Sequence, residues 1–160
     1  MIYCECKPDE VLIEVLINKK PKHGDNKSEI CKRLENEKNI IALLDKDPNS
    51  YQPLYLNRLQ RIFNSEELGL EILYDRERNN KIILLNPRLE DWVLRIAKLK
   101  NITLGKLPRK PSKLKKEINQ KLEHFRKLLQ AIKKKKPKEF IVLARELQMV
   151  KSEFLQADQS

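Results

Sequence analysis

The sequence predicts an α/β fold, a small and mainly parallel sheet flanked by helices, with a basic helical hairpin at the C-terminal end. Three observations predict it. Short apolar runs of strand length stand at residues 1–6, 40–44, 70–74 and 82–85. The segments between the first two runs, and after the last, carry apolar residues at helical spacing. The first two runs lie too far apart for a hairpin, so a crossover must join them, which makes them parallel and right-handed. Strands and helices in that alternation form layers.

Met1, Ile2, Tyr3, Cys4, Glu5 and Cys6 form the first strand, stopped by Lys7 and Pro8. Residues 10–17 are helical, with Val11, Leu12, Val15 and Leu16 on one face. Pro8 suits a first turn, and Asp9 and Glu10 suit the positive end of the helix dipole. Residues 18–26 are polar, contain Pro21 and Gly24, and read as a loop. Residues 28–37 form a second helix with Ile30, Cys31 and Leu34 inward. Ile40, Ile41, Ala42, Leu43 and Leu44 are apolar throughout, as in a strand covered on both faces. A turn-rich loop over 49–53 leads to a helix predicted over 54–63. Strands over 70–74 and 82–85 are joined by a turn containing Asn79 and Asn80. A helix from Pro87 or Arg88 to about Lys100 presents Leu89, Trp92, Val93, Ile96 and Ala97. Pro108 and Pro111 mark a boundary over 105–112, which divides the chain into a core of residues 1–105 and an extension of 106–160 packed on it. Leu114, Ile118, Leu122, Phe125, Leu128, Leu129 and Ile132 predict one long helix over 112–135. Pro137 ends it, and residues 138–154 form the last helix, with Phe140, Leu143, Ala144 and Leu147 inward.

Charge divides at the same boundary. The chain of 160 residues has a net charge of +11. Residues 106–160 hold 16 Lys and Arg against 6 Asp and Glu, and residues 1–105 hold 18 against 17. An anionic partner for the last third, nucleic acid foremost, fits this asymmetry, and so does a solvated lysine face. Outward on the helical hairpin and its approach lie Lys110, Lys113, Lys115, Lys116, Lys127, Lys133, Lys134, Lys135 and Lys136, a row able to track phosphates without reading sequence. No aromatic residues interleave with these lysines to stack bases. No apolar run approaches the ~20 residues that cross a bilayer, so no membrane is expected. The chain starts on a strand-like segment, which predicts no secretory leader. Three cysteines make no disulfide framework, and a reducing cytoplasmic setting is expected.

Functional groups of parallel α/β sheets collect beyond the carboxyl ends of the strands. Glu5 ends the first strand, and Asp45 and Asp47 follow the second. Three carboxylates at one rim repel unless a cation or a proton neutralises them. A hard divalent ion, Mg²⁺ or Mn²⁺, suits all-oxygen donors. Asp-x-Asp-Pro is equally an ordinary turn, and Glu5 equally a partner for a lysine, and spacing leaves both readings open. No zinc spacing, phosphate-binding glycine loop, dinucleotide fingerprint or nucleophilic-serine signature is present. His23 in its loop and His124 in the basic helix carry no motif.

A glutamate ending the first strand, a helix, Gly24, and then a hydrophobic strand ending in Asp45 and Asp47 resembles the TOPRIM domain. That family includes topoisomerases, primases, recombination proteins and small nucleases. The resemblance implies Mg²⁺ on Asp45 and Asp47 and a general acid/base or bridging role for Glu5. Cys6 stands where the family often has a glycine. Pro87, Glu90 and Trp92 resemble a pattern of TOPRIM-like proteins of bacterial defence and mobile elements. Glu90 or Asp91 would then be a ligand to a second metal ion, although acids in a first helical turn also serve the dipole. Two functions follow as expectations. One is Mg²⁺-dependent hydrolysis of DNA or RNA. The other is a non-catalytic nucleic-acid-binding or complex-forming subunit, completed by a partner protein such as an ATPase.

Overall fold

The computed structural model describes residues 1–148. Six strands form one sheet: β1 (Ile2–Cys4), β2 (Lys22–His23), β3 (Ile41–Asp45), β4 (Gln60–Ser65), β5 (Leu70–Asp75) and β6 (Asn80–Leu85). The helices are α1 (Lys7–Ile17), α2 (Lys27–Asn36), α3 (Leu54–Asn57), α4 (Leu89–Leu99), α5 (Pro111–Glu117), α6 (Leu122–Lys134) and α7 (Lys138–Gln148). The strand order is β2-β1-β3-β6-β5-β4. The first four of these run parallel, whereas β5 runs antiparallel to both β6 and β4.

The fold is therefore α/β with a mixed sheet. The expected helix over 54–63 accounts for the difference. Its apolar positions Tyr55, Leu59, Ile62 and Phe63 fit a helix as well as a strand. Only the first four residues are helical, and residues 60–65 pair with β5, placing Phe63 opposite Ile72 and Ser65 opposite Leu70. Short turns then link β4, β5 and β6, and short turns can join only antiparallel neighbours. Tertiary pairing overrides local propensity here. Strand β2 likewise forms inside the stretch read as a loop, by pairing with β1 at Tyr3 and Cys4.

Alternation along the strands builds a core on each face. Tyr3, Ala42, Leu44, Ile82 and Leu84 pack with Ile30 and Leu34 of α2 and Tyr55 of α3. Cys4, Leu43, Ile83 and Leu85 face the other way, against α1, α4, α6 and α7. Gly24 is required where α2 meets the sheet, because a Cβ there would stand 2.2 Å from Ile30 Cγ1. Trp92 stacks on Phe140, with ring centroids 5.6 Å apart, and donates its indole N–H to the Leu68 carbonyl at 2.8 Å. Residues before and after position 105 thus share one cluster.

The single helix expected over 112–135 is broken. A 3-10 turn at Ile118–Gln120 and a non-helical Lys121 (φ −129°, ψ 34°) separate α5 from α6. The break lets α5 lie on α4 while α6 lies on α1, so both halves bury their apolar faces. The expected hairpin is also altered, since α6 and α7 each make their main packing with α1. A buried ion pair, Lys81 Nζ to Glu146 Oε2 at 2.9 Å, fastens α7 to β6. The last expected helix is described as far as Gln148, and residues 149–154 of that expectation lie outside the described residues. Among the described residues no helix is long and apolar enough to cross a membrane.

Candidate functional site

Because β1, β3 and β6 run parallel, their carboxyl ends share one edge of the sheet, and α1 and α4 start there. Pairing of β1 ends at Cys4 opposite Leu43. Beyond it the Asp45 N–H donates to Glu5 Oε2 at 3.2 Å, so a side chain fills the rung a longer strand would have filled. Asp45 Oδ1 in turn accepts the Leu89 N–H at 2.9 Å. Arg88, at the N-cap of α4, makes no side-chain cap, so β3 supplies one.

Two more carboxylates close on this point. Asp9, in the first turn of α1, is 3% exposed and accepts the Cys6 thiol at 3.1 Å. Glu90, the second residue of α4, is 5% exposed, and its Oε2 is buried with no hydrogen-bond partner among the described residues. Asp91 beside it is engaged by Arg88 at 2.9 Å, which leaves Glu90 as the acid facing inward. Asp47 lies beyond the end of β3, where the chain turns. Its φ of 43° turns the chain, its N–H donates to the Pro87 carbonyl at 2.7 Å, and it lines an open groove of about 390 Å³ with Glu5, Asp45, Lys27 and Lys115. Lys46, between the two aspartates, leaves for the opposite face and pairs with Glu71 at 2.8 Å.

Burial and mutual repulsion dominate the electrostatics. Burial, then the charges of Glu5 and Glu90, push Asp45 up to about 7. Burial, then Asp45, hold the Asp9 carboxyl well above the usual range. Burial also raises Glu5 and Glu90, with Lys115 opposing at both and Lys27 opposing at Glu5. The thiol of Cys6, an exposed residue, donates to the Asp9 carboxylate, so it is a hydrogen donor rather than a thiolate. Such a cluster holds a proton or attracts a cation. The fit to a hard divalent ion rests on the all-oxygen donor set and on the orphaned Glu90 Oε2. Among the described residues no group of three or more His, Cys, Asp or Glu stands ready to hold a metal ion. A Mg²⁺ site built from one or two carboxylates, water and substrate phosphate needs no such closed cage.

Asp9 is the residue that sequence reasoning missed. Its position suits the helix dipole, yet it also stands four residues after Glu5 on a helix that starts at the end of β1. Helical return toward the strand end brings it to the rim once α1 packs on the sheet. His23 is held by the Glu10 carboxylate and is remote in role from the cluster. His124 lies half-buried on α6.

All nine predicted lysines are exposed, but they do not form one row. Lys110 stands at the N-cap of α5, and Lys113, Lys115 and Lys116 lie on it, with Lys115 at the carboxylate groove. Lys127, Lys133 and Lys134 lie on α6, and Lys135 and Lys136 follow. Lys133 Nζ donates to the Val15 carbonyl at 2.7 Å, near the far end of α1, about 12 Å along the helix from its start at the rim. There Lys133 and Lys134 join Lys19, Lys20 and Arg126 around a second open groove. Comparison with protein-family models, curated proteins and solved structures finds no match to this chain.

Proposed function

We propose that the chain is a Mg²⁺- or Mn²⁺-dependent phosphodiesterase with a TOPRIM-like site, acting on DNA or RNA. One observation carries the reading. Glu5, Asp9, Asp45 and Glu90 meet at one strand-end rim, where burial raises the proton affinity of all four and the charges of Glu5 and Glu90 raise it further at Asp45 and Asp9.

Asp45 and Asp47 would hold the metal with water and substrate phosphate, and Glu90 would serve a second ion. A bound ion would polarise a phosphoryl oxygen and offset charge on the phosphodiester. Glu5, whose proton affinity burial raises, is suited to take a proton from an attacking water. Lys115, exposed at the mouth, meets the phosphate backbone and stabilises developing negative charge. Lys110, Lys113 and Lys116 extend that contact. Lys127 and Lys133 to Lys136 contact a more distant part of the polymer or a partner protein. Three free cysteines suit a reducing, cytoplasmic setting.

The second basic groove, at the far end of α1 and remote from the carboxylates, favours a second reading. In it the chain binds nucleic acid, or joins a complex in a phage-defence or mobile-element system, without cleaving. Incubation of labelled DNA and RNA with Mg²⁺ or Mn²⁺ decides between the two. Cleavage by the wild type that Asp45→Ala abolishes supports the first. Binding by both proteins with cleavage by neither gives the second.

A further inference from the structure

The loop after β3 is fastened from within. Gln52 Nε2 donates to the carbonyls of Lys46, Asp47 and Ser50 at 3.0, 2.9 and 3.2 Å. The Ser50 N–H and hydroxyl both donate to the Asp47 carbonyl. Lys27 Nζ, from the start of α2, donates to the Lys46 carbonyl at 3.1 Å. Between Ser50 and Gln52 stands Tyr51, 75% exposed, on the wall of the groove that also holds Glu5, Asp45 and Asp47. Among the described residues no hydrogen bond or ring contact engages its side chain. Leu54, three residues on, is 72% exposed.

An aromatic ring bare to water on a braced loop loses little freedom when a flat partner covers it. The flat apolar face of a nucleobase is such a partner, and Lys27 and Lys115 in the same groove suit the phosphate attached to it. We infer that Tyr51 is a stacking platform for an unpaired nucleobase, which directs single-stranded or frayed nucleic acid to the carboxylate rim. The inference rests on the nucleic-acid reading above and narrows its substrate. A duplex keeps its base faces covered by neighbours and offers Tyr51 nothing to stack on. Stacking accepts every base, so the selection is for strandedness and not for sequence.

Fluorescence anisotropy tests it with short labelled strands of mixed sequence, as single-stranded DNA, single-stranded RNA and blunt duplex, in Ca²⁺. Tyr51→Ala should weaken single-strand binding about tenfold or more and leave duplex binding unchanged. Tyr51→Phe should retain wild-type binding, because the ring and not the hydroxyl stacks. Tyr51 is exposed, so circular dichroism should show both variants folded. Wild-type single-strand affinity that survives Tyr51→Ala, a loss shared equally with duplex, or no single-strand binding by the wild type would each overturn the inference. Cleavage is scored separately in Mg²⁺. Tyr51-dependent binding without cleavage removes the phosphodiesterase and keeps the platform. Cleavage with Tyr51-independent binding does the reverse.

Discussion

Asp45 does three things at once: its N–H orders Glu5, its Oδ1 caps α4, and its charge repels the neighbouring carboxylates. The third opposes folding. Folded Asp45 keeps its proton up to about pH 7, whereas an unfolded aspartate releases it near about pH 4. Between those values the folded state holds more protons, so stability falls as pH rises. Glu5, Asp9 and Glu90 are shifted in the same direction and add to the trend. Without divalent ions, urea denaturation should show the protein less stable at pH 8 than at pH 5, by on the order of 2 kcal/mol. Asp45→Asn keeps the cap but removes the charge, and should shrink that difference. It should also abolish any rise in Tm produced by Mn²⁺ at pH 8, which a thermal-shift titration reads.

Among the elements, α2 and α4 are placed by different devices. Helix α4 takes its cap from β3, whereas α2 takes one from its own Asn26, which accepts the Glu29 N–H at 2.9 Å. Close approach to Gly24 then seats α2 beside the sheet. Gly24→Ala forces a Cβ into Ile30 and should cost about 1–3 kcal/mol, seen as a lower urea midpoint with an unchanged slope. An unchanged midpoint would mean that α2 shifts freely and that the close approach constrains nothing. The broken α5–α6 segment shows the same logic on the other face, since each half turns to the helix that can cover its apolar stripe.

Over the whole molecule, the Lys81–Glu146 pair joins residues 65 apart in sequence and fixes α7 to the sheet. Burial lowers the proton affinity of Lys81, while Glu146 restores part of it. Removing one member, as in Glu146→Ala, should destabilise by about 3–5 kcal/mol. Lys81→Met with Glu146→Leu should recover most of that loss, and a double variant as weak as either single one would contradict it. The two basic regions predict separable effects on nucleic-acid binding. Neutralising Lys113, Lys115 and Lys116 to Gln should flatten the dependence of log affinity on log salt by about 0.7–0.9 for each phosphate left without its lysine. It should also reduce cleavage. Neutralising Lys133 to Lys136 should flatten binding alone, because those lysines lie at the far end of α1.

Much of this was legible in the residues. The apolar runs announced β1, β3, β5 and β6. The helical stripes announced α1, α2, α4 and the apolar faces of α6 and α7. The acids at strand ends pointed to Glu5, Asp45 and Asp47 as neighbours of one rim, and only the resemblance added Glu90 or Asp91. Periodicity carries such information because each of these segments presents one face to the core whatever its neighbours are. Strand β4, the break at Lys121, the inward turn of Asp9 and the two-part spread of the lysines were not legible. Each depends on which partner covers a surface: β5 for residues 60–65, α4 and α1 for the two halves of 112–135, the end of β1 for Asp9. A chain specifies its own pattern locally, but burial and repulsion are properties of pairs, and the pairs exist only once the layers have closed.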